Sequence, residues 1–341
     1  MFRLTVAIMG NTQEIEAALR RLCPFFLSGG QTIENLKRLS GGASQETWAF
    51  DAVSPSGQRE ELILRRAPSG QDGSRSSAAI GLAKEAALIE AAARAGIPVP
   101  KVTYVCRETD ELGEAFIMGR LSGETIAPKI LRDPKFAGAR PLLARQCGKA
   151  LAGVHALKTE QLPDLALSDG LDQIDQYEDI YRSFDLPKPV FELAMAWLRA
   201  HTPKRRSNVL VHGDFRLGNL MVDGGGLVGV LDWELAHFGD PREDLAWICI
   251  NSWRFGNPGN RVGGFGGLDD LLAGYSEAGG VVIDPAEIDW WEMLGSLKWG
   301  IMCLIMYEAF RSGADPSVER ATIGRRVSEA EIDILNVLER V

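Results

Sequence analysis

Read by the spacing of its apolar positions, the chain opens helical, turns β-like, and is helical for most of its second half. Residues 11–22 carry Ile15, Ala18, Leu19 and Leu22 at helical spacing and predict a short amphipathic packing helix. From about Ile33 the period shortens. Apolar or alternating runs at 48–53 and 61–65, separated by Ser54-Pro55-Ser56-Gly57, predict strands. A polar, loop-like stretch at 69–77 leads into a helix over about 78–95, closed by Gly96 and Pro98. Runs at 102–106 and 115–118 add two strands and complete a sheet of about five. Helical spacing then returns at 141–157, 171–183, 189–200, 268–278, 286–311 and 327–340.

One stretch breaks that second half. In 207–234 two short apolar runs, 209–211 and 220–222, flank the polar sequence His212-Gly213-Asp214-Phe215-Arg216-Leu217-Gly218-Asn219. A glycine turn at 224–226 and a third apolar run then deliver Asp232. Strand, polar loop and hairpin bring Asp214, Asn219 and Asp232 to one end of a sheet. Two carboxylates and an amide there suit a hard divalent cation with a proton acceptor beside it.

Composition narrows the classes. A length of 341 residues allows a large core and suggests two lobes. The net charge of −9 argues against a nucleic-acid surface. Five cysteines without a CxxC pair, and four histidines without HExxH, read as buried thiols in a reducing compartment with no zinc site. No uninterrupted apolar run approaches the ~20 residues of a membrane span, so a cytoplasmic protein without a membrane partner is expected.

The spacing of Asp214, Asn219 and Asp232, with His212-Gly213-Asp214 and Leu231-Asp232-Trp233-Glu234, resembles the catalytic segment of the aminoglycoside phosphotransferase family of kinase-like small-molecule kinases. The resemblance covers about residues 35–330. It implies an α+β, protein-kinase-like bilobal fold: a small β-rich N-lobe with one long helix, and a larger, mainly helical C-lobe. The expected division is an N-terminal helical extension (1–30), a nucleotide-binding N-lobe (31–119) and a catalytic, acceptor-binding C-lobe (120–341). The implied cofactors are ATP and Mg²⁺, the partner a small-molecule hydroxyl acceptor. Asp214 is the expected catalytic base. Arg216 either clamps the γ-phosphate or is solvated, and Asn219 and Asp232 are the expected metal ligands. Gly41, Gly42 and Ser44 form a turn that is an ordinary hairpin read alone and a phosphate cover in this context.

Arg65, after Leu62-Ile63-Leu64, stands where the resemblance expects the phosphate-holding basic residue, often Lys; its planar fork differs from an ammonium. Glu85 falls on the apolar face made by Leu82, Ala86, Ile89 and Ala93. It is either the partner of Arg65 or a surface carboxylate at the edge of the stripe. Ile117, Met118 and Gly119 resemble the hinge whose backbone faces adenine. His155 reads as a satisfied core histidine, and Asp240 and Asp244 as structural braces. The Gly- and Asn-rich 251–267 has the composition of a mobile acceptor lid. The ending Ile323-Gly324-Arg325-Arg326 is similar to the branch of the family often encoded with, or fused to, acyl-CoA dehydrogenases.

Gly224-Gly225-Gly226-Leu227-Val228-Gly229 matches GxGxxG but is followed by a strand, so it is a hairpin turn. No Walker or GxSxG motif occurs. For the acceptor, an aminoglycoside would need acids such as Glu234, Asp269, Asp270, Glu277 and Glu308 to converge. The late arginines (254, 261, 311, 320, 325, 326) and Trp290, Trp291 and Trp299 suit an anionic or apolar alcohol such as a hydroxyacyl thioester, or are simply surface and core. A nucleotide-binding pseudokinase is the competing reading, and loss of Asp214, Asn219 or Asp232 would mark it; all three are present.

Overall fold

Five antiparallel strands, β1 (Thr32–Arg38), β2 (Glu46–Val53), β3 (Arg59–Arg66), β4 (Val102–Val105) and β5 (Ala115–Gly119), form one sheet in the order β1-β2-β3-β5-β4. The computed structural model describes residues 2–39, 45–68, 79–204 and 206–341. The chain divides into two units, Met1–Ser122 with Leu231–Leu235, and Gly123–Val230 with Ala236–Val341.

In the first unit α1 (Phe2–Phe26) outruns the helix predicted from its stripe. Ile15, Ala18, Leu19, Leu22 and Cys23 form one buried cluster with Trp48, Phe50, Leu62, Leu64 and Ile117. The helix of the N-terminal extension (1–30) lays its apolar stripe on a face of the sheet that would otherwise lie in water. α2 (Leu82–Arg94) packs against β4 and β5. Its first amides lack helical acceptors, and Glu114 Oε1 accepts from Leu82 N at 2.6 Å.

The second unit contains α3 (Ala127–Arg132), α4 (Arg140–His155), α5 (Gly170–Arg182) and α6 (Pro189–Ala200). Four short strands follow: β6 (Val209–Val211), β7 (Leu220–Asp223), β8 (Gly226–Val230) and β9 (His237–Gly239). Helices α7 (Arg242–Trp247), α8 (Leu268–Glu277), α9 (Pro285–Arg311), α10 (Val318–Gly324) and α11 (Val327–Leu338) complete it. The hairpin β7–β8 is as expected, and Asp223 Oδ1 accepts from Gly225 N and Gly226 N in its turn. The partner of β6 is β9, which the spacing did not reveal.

Helix α9 is packed by α5, α6, α7, α10 and α11. Among the described residues it is the one helix long and apolar enough to cross a membrane, although 56% of its apolar window is buried inside the protein, as in a core helix. Residues 251–267 are also corrected from a mobile lid. Trp253, Val262 and Phe265 are buried, and Arg254 and Arg261 both bind Glu292 of α9.

Candidate active site

The first unit holds one half of the predicted constellation. β3 ends with Arg65 facing α2 and the Leu231–Leu235 segment. Its Nε donates to Gln45 Oε1 at 3.0 Å and its Nη2 to Asp232 Oδ1 at 2.9 Å. The same Nη2 stands 3.4 Å from Glu85 Oε1. Glu85 is completely buried, so the ion-pair alternative holds and the surface alternative does not. Burial pushes its carboxyl up to about 7, against the pull of Arg65. Burial also pulls the Arg65 guanidinium down, but Glu85 and Asp232 more than offset this and leave it raised. Asp232 has φ of 64°, a left-handed conformation costly for a residue with a Cβ and frequent at functional sites.

Gly41, Gly42 and Ser44 lie outside the described residues. Ile117, Met118 and Gly119 sit within β5, paired on both sides by β3 and β4. Gly119 N donates to Lys101 O and Arg120 N to Glu61 O, so the hinge expectation meets backbone already committed to the sheet.

The second unit holds the polar loop between β6 and β7. Gly213 has φ of 81°, which turns the chain sharply before Asp214. The loop is braced from α7: Asp244 Oδ2 accepts from His212 N at 2.7 Å and Oδ1 from Gly213 N at 3.0 Å. His155 Nε2 meets the same carboxylate at 3.1 Å while its Nδ1 meets Tyr275 Oη, so His155 is a satisfied core residue. Asp240 Oδ1 accepts from Arg242 N at the start of α7, the expected cap.

Asp214 receives three side-chain donors. Arg216 Nε reaches Oδ1 at 2.9 Å and Oδ2 at 3.2 Å. Asn219 Nδ2 reaches Oδ2 at 2.6 Å, and Trp247 Nε1 reaches Oδ1 at 2.7 Å. The Arg216 guanidinium also lies over the Trp253 ring, 4.6 Å from its centroid. With its nitrogen committed to Asp214, Asn219 keeps its amide oxygen for a hard cation. Among the described residues no group of three or more His, Cys, Asp and Glu could hold a metal.

Trp247 and its support were not foreseen. Lys298 Nζ lies 5.4 Å from the Trp247 ring centroid and 5.6 Å from that of Tyr177, and bonds Glu243 at 3.0 Å and Gln173 at 2.6 Å. Burial pushes the Glu243 carboxyl up, but Lys298 and His237 outweigh this and hold it well below the usual range. The available signal was Trp247's place three residues past Asp244, on the same face of α7. Of the acids named for an aminoglycoside pocket, Asp270 and Glu277 pair with Arg145, and Glu308 with Arg311. Cys23, Cys147, Cys249 and Cys303 are buried and all five thiols are free.

An antiparallel sheet with a strand-borne cation paired to a helix carboxylate, and a helical unit carrying a braced Asp–Asn loop, are the parts of a kinase-like phosphotransferase. Residues 35–291 match the phosphotransferase enzyme family, and the chain belongs to that family. The fold is shared with a choline/ethanolamine kinase family protein from Mesorhizobium loti (TM-score 0.62, 20% identity, 94% of each chain covered). It is shared as well with an aminoglycoside phosphotransferase solved with AMP-PNP and hygromycin B (TM-score 0.59, 15% identity, 90% of this chain and 94% of that one). By sequence the chain is 29% identical over 201 residues to acyl-CoA dehydrogenase family member 10 of Mus musculus, covering 56% of this chain and 18% of that protein. It is 26% identical over 253 residues to family member 11 of the same species, covering 70% and 31%. It thus spans less than a third of the length of these two relatives.

Proposed function

We propose that the protein transfers the γ-phosphoryl group of ATP to a hydroxyl of a small molecule. The observation that carries this reading is the Asp214 carboxylate, held by Asn219, Arg216 and Trp247 on a loop whose backbone Asp244 fixes. In such transfers the protein positions the reactants and neutralises charge rather than forming covalent bonds. Asp214 accepts a hydrogen bond from the acceptor hydroxyl and takes its proton late. Arg216 balances the carboxylate through Nε, which leaves its terminal nitrogens for the γ-phosphate. Arg65, anchored by Glu85, binds the nucleotide phosphates. The Asn219 amide oxygen and the Asp232 carboxylate would hold Mg²⁺, which when bound supplies charge neutralisation between the phosphates.

The acceptor we assign is an alcohol that is apolar and anionic, such as a hydroxyacyl-CoA ester. Two observations support it: the engagement of Asp270, Glu277 and Glu308 with arginines, and the likeness to acyl-CoA dehydrogenase family members. The test is ADP release in MgATP against aminoglycosides, amino alcohols, sugars and short hydroxyacyl-CoA esters, with Asp214→Asn as the blank. Acceptor-dependent release that falls about 10²–10⁴-fold in the variant is expected. Equal release from both proteins across the panel would overturn the reading and leave a nucleotide-binding pseudokinase.

A further inference from the structure

We propose that Trp247 is a positioning residue for phosphoryl transfer, its indole N–H fixing the Asp214 carboxylate while the buried Lys298–Glu243 pair fixes the indole. This rests on Asp214 being the base. A carboxylate offers about four acceptor positions. Oδ1 uses two, on Trp247 Nε1 at 2.7 Å and Arg216 Nε at 2.9 Å. Oδ2 accepts Asn219 Nδ2 at 2.6 Å, and the one Arg216 Nε–H already counted on Oδ1 only leans towards it at 3.2 Å, so three N–H donors meet about four positions. The position left for an acceptor hydroxyl is therefore on Oδ2, and the donors decide its direction.

Those donors are not equivalent. Arg216 and Asn219 belong to the same short loop as Asp214 and move with it. Trp247 is the one of the three anchored outside that loop. It stands on α7, three residues past the Asp244 that grips the loop's backbone, so one helix face holds both the main chain and the side chain of the base. The ring itself is held between Lys298, 5.4 Å from its centroid, and Trp253, at 5.7 Å between centroids. Lys298 has no freedom to leave, being tied to Glu243 and Gln173.

Trp247→Phe deletes the N–H and keeps a ring against Lys298. Trp197 on α6 provides the control: it is half-buried in the same unit and its ring stacks on His201, 4.6 Å between centroids. With the best acceptor of the panel, Trp247→Phe is expected to lower kcat by about tenfold to a hundredfold, the range of a hydrogen bond to a charged group. KM for ATP and acceptor and the melting temperature should stay near wild type, and Trp197→Phe should keep kcat within about twofold. The ¹⁵N indole resonance of Trp247 in the wild type should exchange slowly with solvent and move in Asp214→Asn, a readout that stands if Trp247→Phe fails to fold. Wild-type kcat in Trp247→Phe, or an indole signal indifferent to Asp214→Asn, overturns the proposal while Asp214→Asn inactivity preserves the base. A loss shared between kcat, KM and melting temperature marks packing alone and also overturns it. A wild type no more active than Asp214→Asn on every acceptor overturns the underlying reading.

Discussion

Arg65 is bound more closely to Asp232, at 2.9 Å from Nη2 to Oδ1, than to Glu85, at 3.4 Å from the same nitrogen. The fork of a guanidinium makes this arrangement: Nε holds Gln45 while Nη2 spans two carboxylates. A lysine has three donors on one nitrogen, which cannot stand in the Nε and Nη2 positions together. With Asp232 as the proposed metal ligand, the cation that Mg²⁺ would displace there is the chain's own Arg65.

Arg65→Lys should accordingly ease metal binding while conserving charge. The Mg²⁺ concentration for half-maximal thermal stabilisation by ATP is expected to fall by roughly threefold to tenfold, about half to all of the net worth of one neutral hydrogen bond. Stabilisation at saturating Mg²⁺ should persist. An unchanged or higher Mg²⁺ requirement would show that the Arg65–Asp232 pair is not what the metal displaces.

Asp244→Asn tests the brace beneath the loop. The wild-type carboxylate accepts from two backbone amides with two oxygens, whereas an amide side chain would turn N–H₂ toward one of them. A stability loss of about 1–3 kcal/mol in urea unfolding is expected. Faster hydrogen exchange at His212 and Gly213 should accompany it. Unaltered exchange at both amides would separate the loop's order from Asp244.

What could be read in the sequence was local. The Asp214–Asn219 loop, the β7–β8 hairpin and the stripe on α1 each declare themselves within a dozen residues, because turn chemistry and helical period act at that range. What was missed depends on distant partners. β6 pairs with β9 across the 25 residues of loop and hairpin from His212 to Ala236, and no periodicity within either strand points to the other. Residues 251–267 have a loop's composition, yet Arg254 and Arg261 find Glu292 far along the chain. Trp247 carried no local signal because the hydrogen bond that singles it out is made to a residue 33 positions earlier.

The pair Lys298–Glu243 is buried among aromatic rings, where either charge alone would be costly. Glu243→Gln should destabilise the protein by about 3–5 kcal/mol, since Lys298 would keep a buried charge beside neutral partners. Adding Lys298→Met should recover much of that loss in urea unfolding, a non-additivity expected of side chains in contact. Strictly additive costs would mean that the two charges do not stabilise each other.

Glu85 makes stability depend on pH in a direction that can be worked out. Its carboxyl is raised by burial from 4.5 to about 7, so the folded protein retains a proton that the unfolded chain has released across that interval. The stability this provides is fully present below about 4.5 and is lost as pH rises through about 7. Glu85→Gln cannot titrate. The melting temperature of wild type relative to Glu85→Gln should therefore be highest near pH 5, decline toward pH 7 and level off by pH 8. If wild type instead gains on the variant as pH rises, the Arg65 ion pair outweighs burial, and Glu85 is ionised throughout.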